Sequence, residues 1–137
     1  MEIKNYLLAK KLFIFSIKKY PEFTKPYILL AEIWSLENNF KEALKVLLAA
    51  QKIINNNSEI KYNLSVLYKK MGLFDEALVS INEAVMFSTN VDVYQILKSD
   101  ILIDMKENEK AKKILFNLNI RKREYKKTTI APILCVM

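Results

Sequence analysis

Residues 61–84 read KYNLSVLYKKMGLFDEALVSINEA, and the pattern of this stretch decides the fold. Residues 27–50, one interval of 34 earlier, read YILLAEIWSLENNFKEALKVLLAA. At that offset Leu30 matches Leu64, Trp34 matches Tyr68, Phe40 matches Phe74 and Ala50 matches Ala84. Ala43, Ala77 and Ala111 form one register, and Leu47, Ile81 and Leu115 form another. Going backwards, Ala43 pairs with Ala9 and Leu47 with Phe13. A fixed period of this length is the mark of a repeat array, in which each unit buries its apolar face against the next.

The units read as helical hairpins. One glycine and three prolines in 137 residues are too few for the tight turns of an all-β fold, and they favour long helices. Ala31, Ser65 and Ser99 are small where the first helix of a hairpin must approach the second. Ala43, Ala77 and Ala111 are small on the facing helix. Trp34 and Tyr68 are large enough to fill the space between neighbouring hairpins. Pro26 suits a first helical turn, Gly72 a left-handed helix stop, and Asn55-Asn56-Asn57-Ser58 a loop with Ser58 as cap. Helices are expected over 3–19, 24–37, 41–54, 59–71, 75–87, 91–105 and 108–119.

These residues resemble the tetratricopeptide repeat family. The first full repeat carries Tyr27, Leu30, Ala31, Trp34, Ala43, Leu47 and Ala50. The second carries Lys61, Leu64, Ser65, Tyr68, Gly72, Phe74, Ala77, Ile81 and Ala84. The third is weaker, with Lys98, Ser99, Leu102, Ala111, Leu115 and Leu118. An opening half-repeat has Tyr6, Ala9, Phe13 and Pro21, where Pro21 stands at the family's proline and Asn55 and Thr89 stand at the later equivalents. The resemblance implies an all-α, right-handed superhelix of helix-turn-helix hairpins. Its expected units are a half-repeat over 3–22 and repeats over 24–57, 58–91 and 92–120. A basic and then apolar tail follows over 121–137.

The family lines a concave surface with first helices, and a peptide often lies there. Carried over on the register, the contact positions include Lys25, Ile28, Glu32 and Ser35 in the first repeat. In the second they include Tyr62, Asn63, Val66, Lys69 and Lys70, and in the third Ile96, Asp100 and Ile103. Chaperone-binding members clamp a C-terminal carboxylate with Lys, Arg and Asn. Only Asn63 fits that set, and Val93 and Leu97 stand where the clamp has cations, which argues against a chaperone-tail receptor. The apolar and mixed-charge lining suits an amphipathic helix or an extended apolar segment.

The ends of the array read differently. The first helix uses Tyr6, Ala9 and Phe13 as its inward face, yet Leu8, Leu12 and Phe15 remain as an apolar patch for a homodimer contact or a docking partner. At the other end, Arg121 to Lys127 extends a helix or starts one. The stretch 128–137 is apolar and extended in character. It folds over Ile114, Leu115 and Leu118, occupies a groove in cis or in trans, or is a loose terminus.

Composition narrows the chemistry. The chain has no histidine, which removes Ser-His-Asp and Cys-His catalysis and histidine-based zinc sites. One glycine leaves no phosphate-cradling loop, and Cys135 alone builds neither a disulfide nor a metal cluster. No enzyme activity, cofactor or metal is expected. The net charge of +7 sits at the ends, +4 over residues 1–25 and +4 over residues 119–137, with a nearly neutral middle. That distribution argues against a nucleic-acid stripe across the folded body. No stretch reaches the length of a membrane span or resembles a secretory signal, so a soluble cytoplasmic protein is expected. The function read from the sequence is a protein-interaction module, a scaffold, adaptor or assembly factor whose partner is another protein or peptide. The alternatives are a chaperone that shields apolar client segments and an RNA-associated protein using its basic ends.

Overall fold

The computed structural model describes residues 3–88 and 91–129, with side chains over 5–88 and 91–120. Among the described residues there are seven helices and no strand. They are α1 (Ile3–Lys19), α2 (Thr24–Leu36), α3 (Phe40–Ile53), α4 (Ser58–Lys70), α5 (Phe74–Phe87), α6 (Asp92–Asp104) and α7 (Asn108–Thr129). The first six follow the expected spans to within a residue or so at each end. The seventh runs to Thr129, beyond the expected end at residue 119. The run Arg121 to Lys127 thus extends the helix, and Thr128 and Thr129 close it instead of opening an extended segment. The remainder of the expected apolar tail, residues 130–137, lies outside the described residues.

The chain divides into two compact units, Met1–Thr89 and Asn90–Met137. In the first, α2 pairs with α3 and α4 with α5; α3 and α2 both pack on α4, and α1 packs on α2. In the second, α6 pairs with α7.

Each hairpin closes on small residues. Ala43 and Ala77 are fully buried and Ala111 nearly so, as are Ser65 and Ser99, with Ala31 close behind. The Ser65 hydroxyl donates to the carbonyl oxygen of Ala77 on the facing helix at 2.7 Å, so α4 and α5 touch at backbone range. Ser99 donates instead within its own helix, to the Gln95 carbonyl at 3.0 Å. Around these contacts Tyr27, Leu47, Ile60, Leu64 and Ile81 are buried. Truncating Leu47 or Ile81 to alanine removes several buried methylenes, at a cost of about 2–5 kcal/mol.

The turns inside the hairpins repeat with the same period as the core. Asn38 (φ 61°), Gly72 (φ 77°) and Lys106 (φ 65°) all take the left-handed conformation one residue past the helix cap. Around them the amides of Asn39, Leu73 and Glu107 donate to the carbonyls of Trp34, Tyr68 and Leu102 at 2.8, 2.9 and 2.8 Å. Those of Asn38, Gly72 and Lys106 donate to Ser35, Lys69 and Ile103 at 2.9, 3.0 and 2.9 Å. This double bond pair satisfies the last carbonyls of each first helix. Only Gly72 meets the geometry without a Cβ penalty. At the α3–α4 loop the cap is Asn57, whose side chain accepts from the Ile60 amide at 3.0 Å; Ser58 is the first residue of α4 rather than its cap. Asn57 has the stronger claim because its Nδ2 also donates to Thr24 Oγ1 at 3.3 Å, tying the starts of α2 and α4 together.

Two outcomes follow for stability. Lys106→Gly is expected to raise the thermal midpoint, worth up to about 1 kcal/mol, because glycine removes the left-handed strain. Gly72→Ala is expected to lower stability by about 1 kcal/mol. Nothing lies within 4 Å of an added Cβ at Gly72, so that cost is conformational and not steric. Circular-dichroism melts of both variants check the signs.

Tyr27 supplies a pH dependence. Its part-buried hydroxyl donates to the Pro21 carbonyl at 2.8 Å, and burial, followed by the charge of Glu22, pushes the phenol above its ordinary value of 10.0. Below that value both folded and unfolded chains keep the proton, and stability is unaffected. Above it the unfolded chain ionises first, so stability falls as pH rises toward and through the folded value. Urea midpoints measured on either side of pH 10.0 should fall for the wild type and fall less for Tyr27→Phe.

Candidate functional site

The first helices of the two hairpins in the first unit form the walls of a hollow. Ile28, Ala31, Glu32 and Ser35 come from α2, Tyr62, Asn63, Val66, Leu67 and Lys70 from α4, and Leu47 of α3 reaches it from below. These positions converge because side chains three and four apart share one helix face. Ile28, Ala31, Leu47 and Leu67 are buried and make an apolar floor, while Glu32 and Lys70 are exposed at the edges. Lys70 Nζ donates to Ser35 Oγ at 3.3 Å across the hollow. Asn63 Nδ2 donates to the Glu59 carbonyl at 2.8 Å. The volume is about 230 Å³ and the hollow is open to solvent. Small-molecule sites are usually enclosed and larger, about 300 Å³ upward. A hollow of this size and openness suits a few side chains of a polypeptide.

Of the expected groove residues, Ile28, Glu32, Tyr62, Asn63, Val66 and Lys70 line this hollow, and Ser35 joins them. Lys25 is exposed in the first turn of α2 and Lys69 is half-buried near the end of α4; neither lines it. Ile96, Asp100 and Ile103 belong to the second unit, where they are exposed at a four-then-three spacing along one face of α6. The floor residues Leu47 and Leu67 also reach the hollow. Sequence reading treats such positions as core, and burial alone does not reveal that one side of them faces a groove.

The expected docking patch is also exposed. Leu8, Leu12 and Phe15 are 59%, 56% and 62% accessible on α1. The opposite side of α1 is held to α2 by Lys10. Its Nζ lies 2.7 Å from a Glu37 carboxylate oxygen and 3.9 Å from the centre of the Trp34 ring. The Lys10 side chain is 14% accessible and that of Glu37 29%, so water screens this pair less than a fully exposed one. No sequence signal marks this contact, because it joins residues of different repeats.

A second hollow lies on the α4–α5 hairpin, lined by Tyr68, Asp75, Glu76, Val79 and Ser80. Burial, then the Glu76 carboxylate, pushes the Tyr68 phenol above its ordinary range. Elsewhere the charges pair on the surface: Lys61 with Glu83, Lys45 with Glu42 at 3.2 Å, and Lys112 with Glu109 at 3.2 Å. Among the described residues no group of three or more acidic or thiol side chains is placed to hold a metal ion, and no helix is long and apolar enough to cross a membrane.

Hairpins with small-residue contacts, left-handed stops at a fixed interval and a groove walled by first helices define a helical-repeat protein. Residues 58–90 match the family model described as tetratricopeptide repeat, and this stretch is such a repeat. Among solved structures the chain is similar to MamA 41-end from Desulfovibrio magneticus RS-1. The TM-score is 0.75 at 16% identity, covering 89% of this chain and 69% of that one. It is also similar to MamA of MSR-1, with a TM-score of 0.70 at 19% identity over 88% of this chain and 70% of that one. For MamA of AMB-1 the TM-score is 0.67 at 19% identity, over 83% of this chain and 62% of that one. At these identities the likeness is one of fold, an all-α tetratricopeptide solenoid. No curated protein sequence matches the chain. The repeat supports a protein-interaction scaffold role.

Because Trp34 is the sole tryptophan, it reports on the α1–α2 contact. Lys10→Met keeps most of the apolar stem but removes the charge. It is expected to cost about 1 kcal/mol and to change the Trp34 emission as the ring loses its cation. Fluorescence-detected unfolding checks both.

Proposed function

We propose that this chain is a protein-interaction module, acting as scaffold, adaptor or assembly factor, that takes a peptide or helical segment in the hollow between α2 and α4. The observation that carries this reading is the composition of the hollow: an apolar floor of Ile28, Ala31, Leu47 and Leu67 with opposite charges, Glu32 and Lys70, at its edges. An apolar floor binds side chains without sequence demands, while paired edge charges fix direction and register. Exposed Ile96, Asp100 and Ile103 on α6 give a further contact stripe of the same mixed character. The bound segment is one with two or three apolar side chains on one face and both a basic and an acidic residue beside them.

The test is a pair of wall variants. Val66→Glu places a charge on a half-buried wall position, and Tyr62→Ala removes the largest wall side chain. Against a partner isolated by affinity capture, isothermal titration should show each variant weakening binding by at least about tenfold, 1.4 kcal/mol. Lys45→Ala, an exposed α3 position that does not line the hollow, should leave affinity unchanged. Equal loss in all three, or loss in none, contradicts the reading.

A further inference from the structure

Two surfaces of the first unit are unpaired and complementary. On α1 the exposed stripe Leu8, Leu12 and Phe15 is accompanied by exposed Lys11, Lys18 and Lys19, and residues 3–19 contain no acidic side chain. On α5 the exposed stripe is Val79 and Met86, 58% and 75% accessible, and it is accompanied by exposed Asp75 and Glu76. Beside Val79 lies the hollow walled by Tyr68, Asp75, Glu76 and Ser80, of about 380 Å³. One surface is a basic ridge with an aromatic knob, and the other is an acidic, partly apolar recess. Among the described residues α1 and α5 do not pack on each other.

A basic ridge does not pair with its own copy. Face-to-face α1 helices would oppose lysine to lysine with no carboxylate on α1 to relieve them. The acidic recess has the same difficulty with itself. Each surface therefore fits the other and not its own image.

We propose that α1 of one copy docks on the α4–α5 hairpin of a second copy, seating Phe15 in the recess between Tyr68 and Val79 with its lysines facing Asp75 and Glu76. The contact is heterologous, and every copy carries both halves of it. Association then continues beyond a pair unless the rotation between copies closes a ring. The contact leaves the hollow between α2 and α4 open, so it is independent of the peptide reading. Apolar burial supplies the affinity, and the charges set which faces meet.

The test uses the full chain in light scattering across a concentration series. The wild type should show a mass above 16.1 kDa that rises with concentration. Lys11→Glu with Lys18→Glu leaves two acidic surfaces, and Asp75→Lys with Glu76→Lys leaves two basic ones; each double variant alone should remain at 16.1 kDa. Mixed in equal amounts, the two should associate again, because each now supplies the face that the other lacks. Leu12→Ser and Val79→Ser, both changes of exposed side chains, should each abolish association while leaving the helical circular-dichroism signal intact. A wild type that stays at 16.1 kDa up to millimolar concentration overturns the proposal. So does a mixture of the two folded charge variants that fails to associate, or association that survives both serine variants.

Discussion

The structure depends on the close contact of small residues across each hairpin. Where Ser65 meets Ala77, a side-chain hydroxyl reaches the facing backbone at 2.7 Å, a separation that leaves no room for a larger side chain on either helix. The same need is met by Ala31 with Ala43, and by Ser99 with Ala111 in the second unit. Once two helices are that close, their large residues are forced out to the sides of the hairpin. Leu47, Leu64 and Ile81 then face neighbouring helices and become the core, and Trp34 and Tyr68 fill the seams. Packing at crystal-like density leaves little tolerance for change at the small positions, since overfilling costs about 1–3 kcal/mol.

That constraint also creates the surfaces available for binding. Side chains spaced to pack a hairpin on one neighbour leave the first-helix face between α2 and α4 partly uncovered, and a hollow results. At α1 the constraint works in reverse. Tyr6, Ala9 and Phe13 turn toward the rest of the unit, and Leu8, Leu12 and Phe15 are left outward. That outward stripe is the surface proposed to meet a second copy, with its lysines setting the charge of the facing surface. On α7, Leu115 departs from its register mates. Its register mates Leu47 and Ile81 are buried, while Leu115 itself is 42% accessible.

Much of the fold is legible in the sequence because the hairpin contact is strict about size. Alanine or serine recurring at one interval, with large apolar residues at fixed distances from it, locates seven helices to within a residue or so at most ends. Gly72 marks its own turn, since a left-handed residue without a side chain is the cheapest solution. Asn38 and Lys106 hide the same turn, because packing and two backbone bonds override their preference. Ser58 reads as a cap by type, yet Asn57 takes the role through a second bond to Thr24 that no local pattern contains. The extension of α7 to Thr129 rests on a run of charged residues with good helix propensity and no apolar periodicity to announce it. The groove was legible as a set of register positions. Which of them meet in one hollow was not: Lys69 shares a register position with the wall residue Ser35 yet does not line the hollow, and Lys25 stands in the first turn of α2, outside it. The Lys10–Trp34–Glu37 contact left no sequence trace, since it joins residues from separate stretches.

The central claim is the close hairpin contact, and nuclear Overhauser spectroscopy of the folded protein tests it most directly. A cross-peak between the Ser65 β-protons and the methyl of Ala77 is expected, at an intensity that places them in van der Waals contact. Absence of that peak in a spectrum that resolves both groups, with α4 and α5 otherwise helical, would contradict the account.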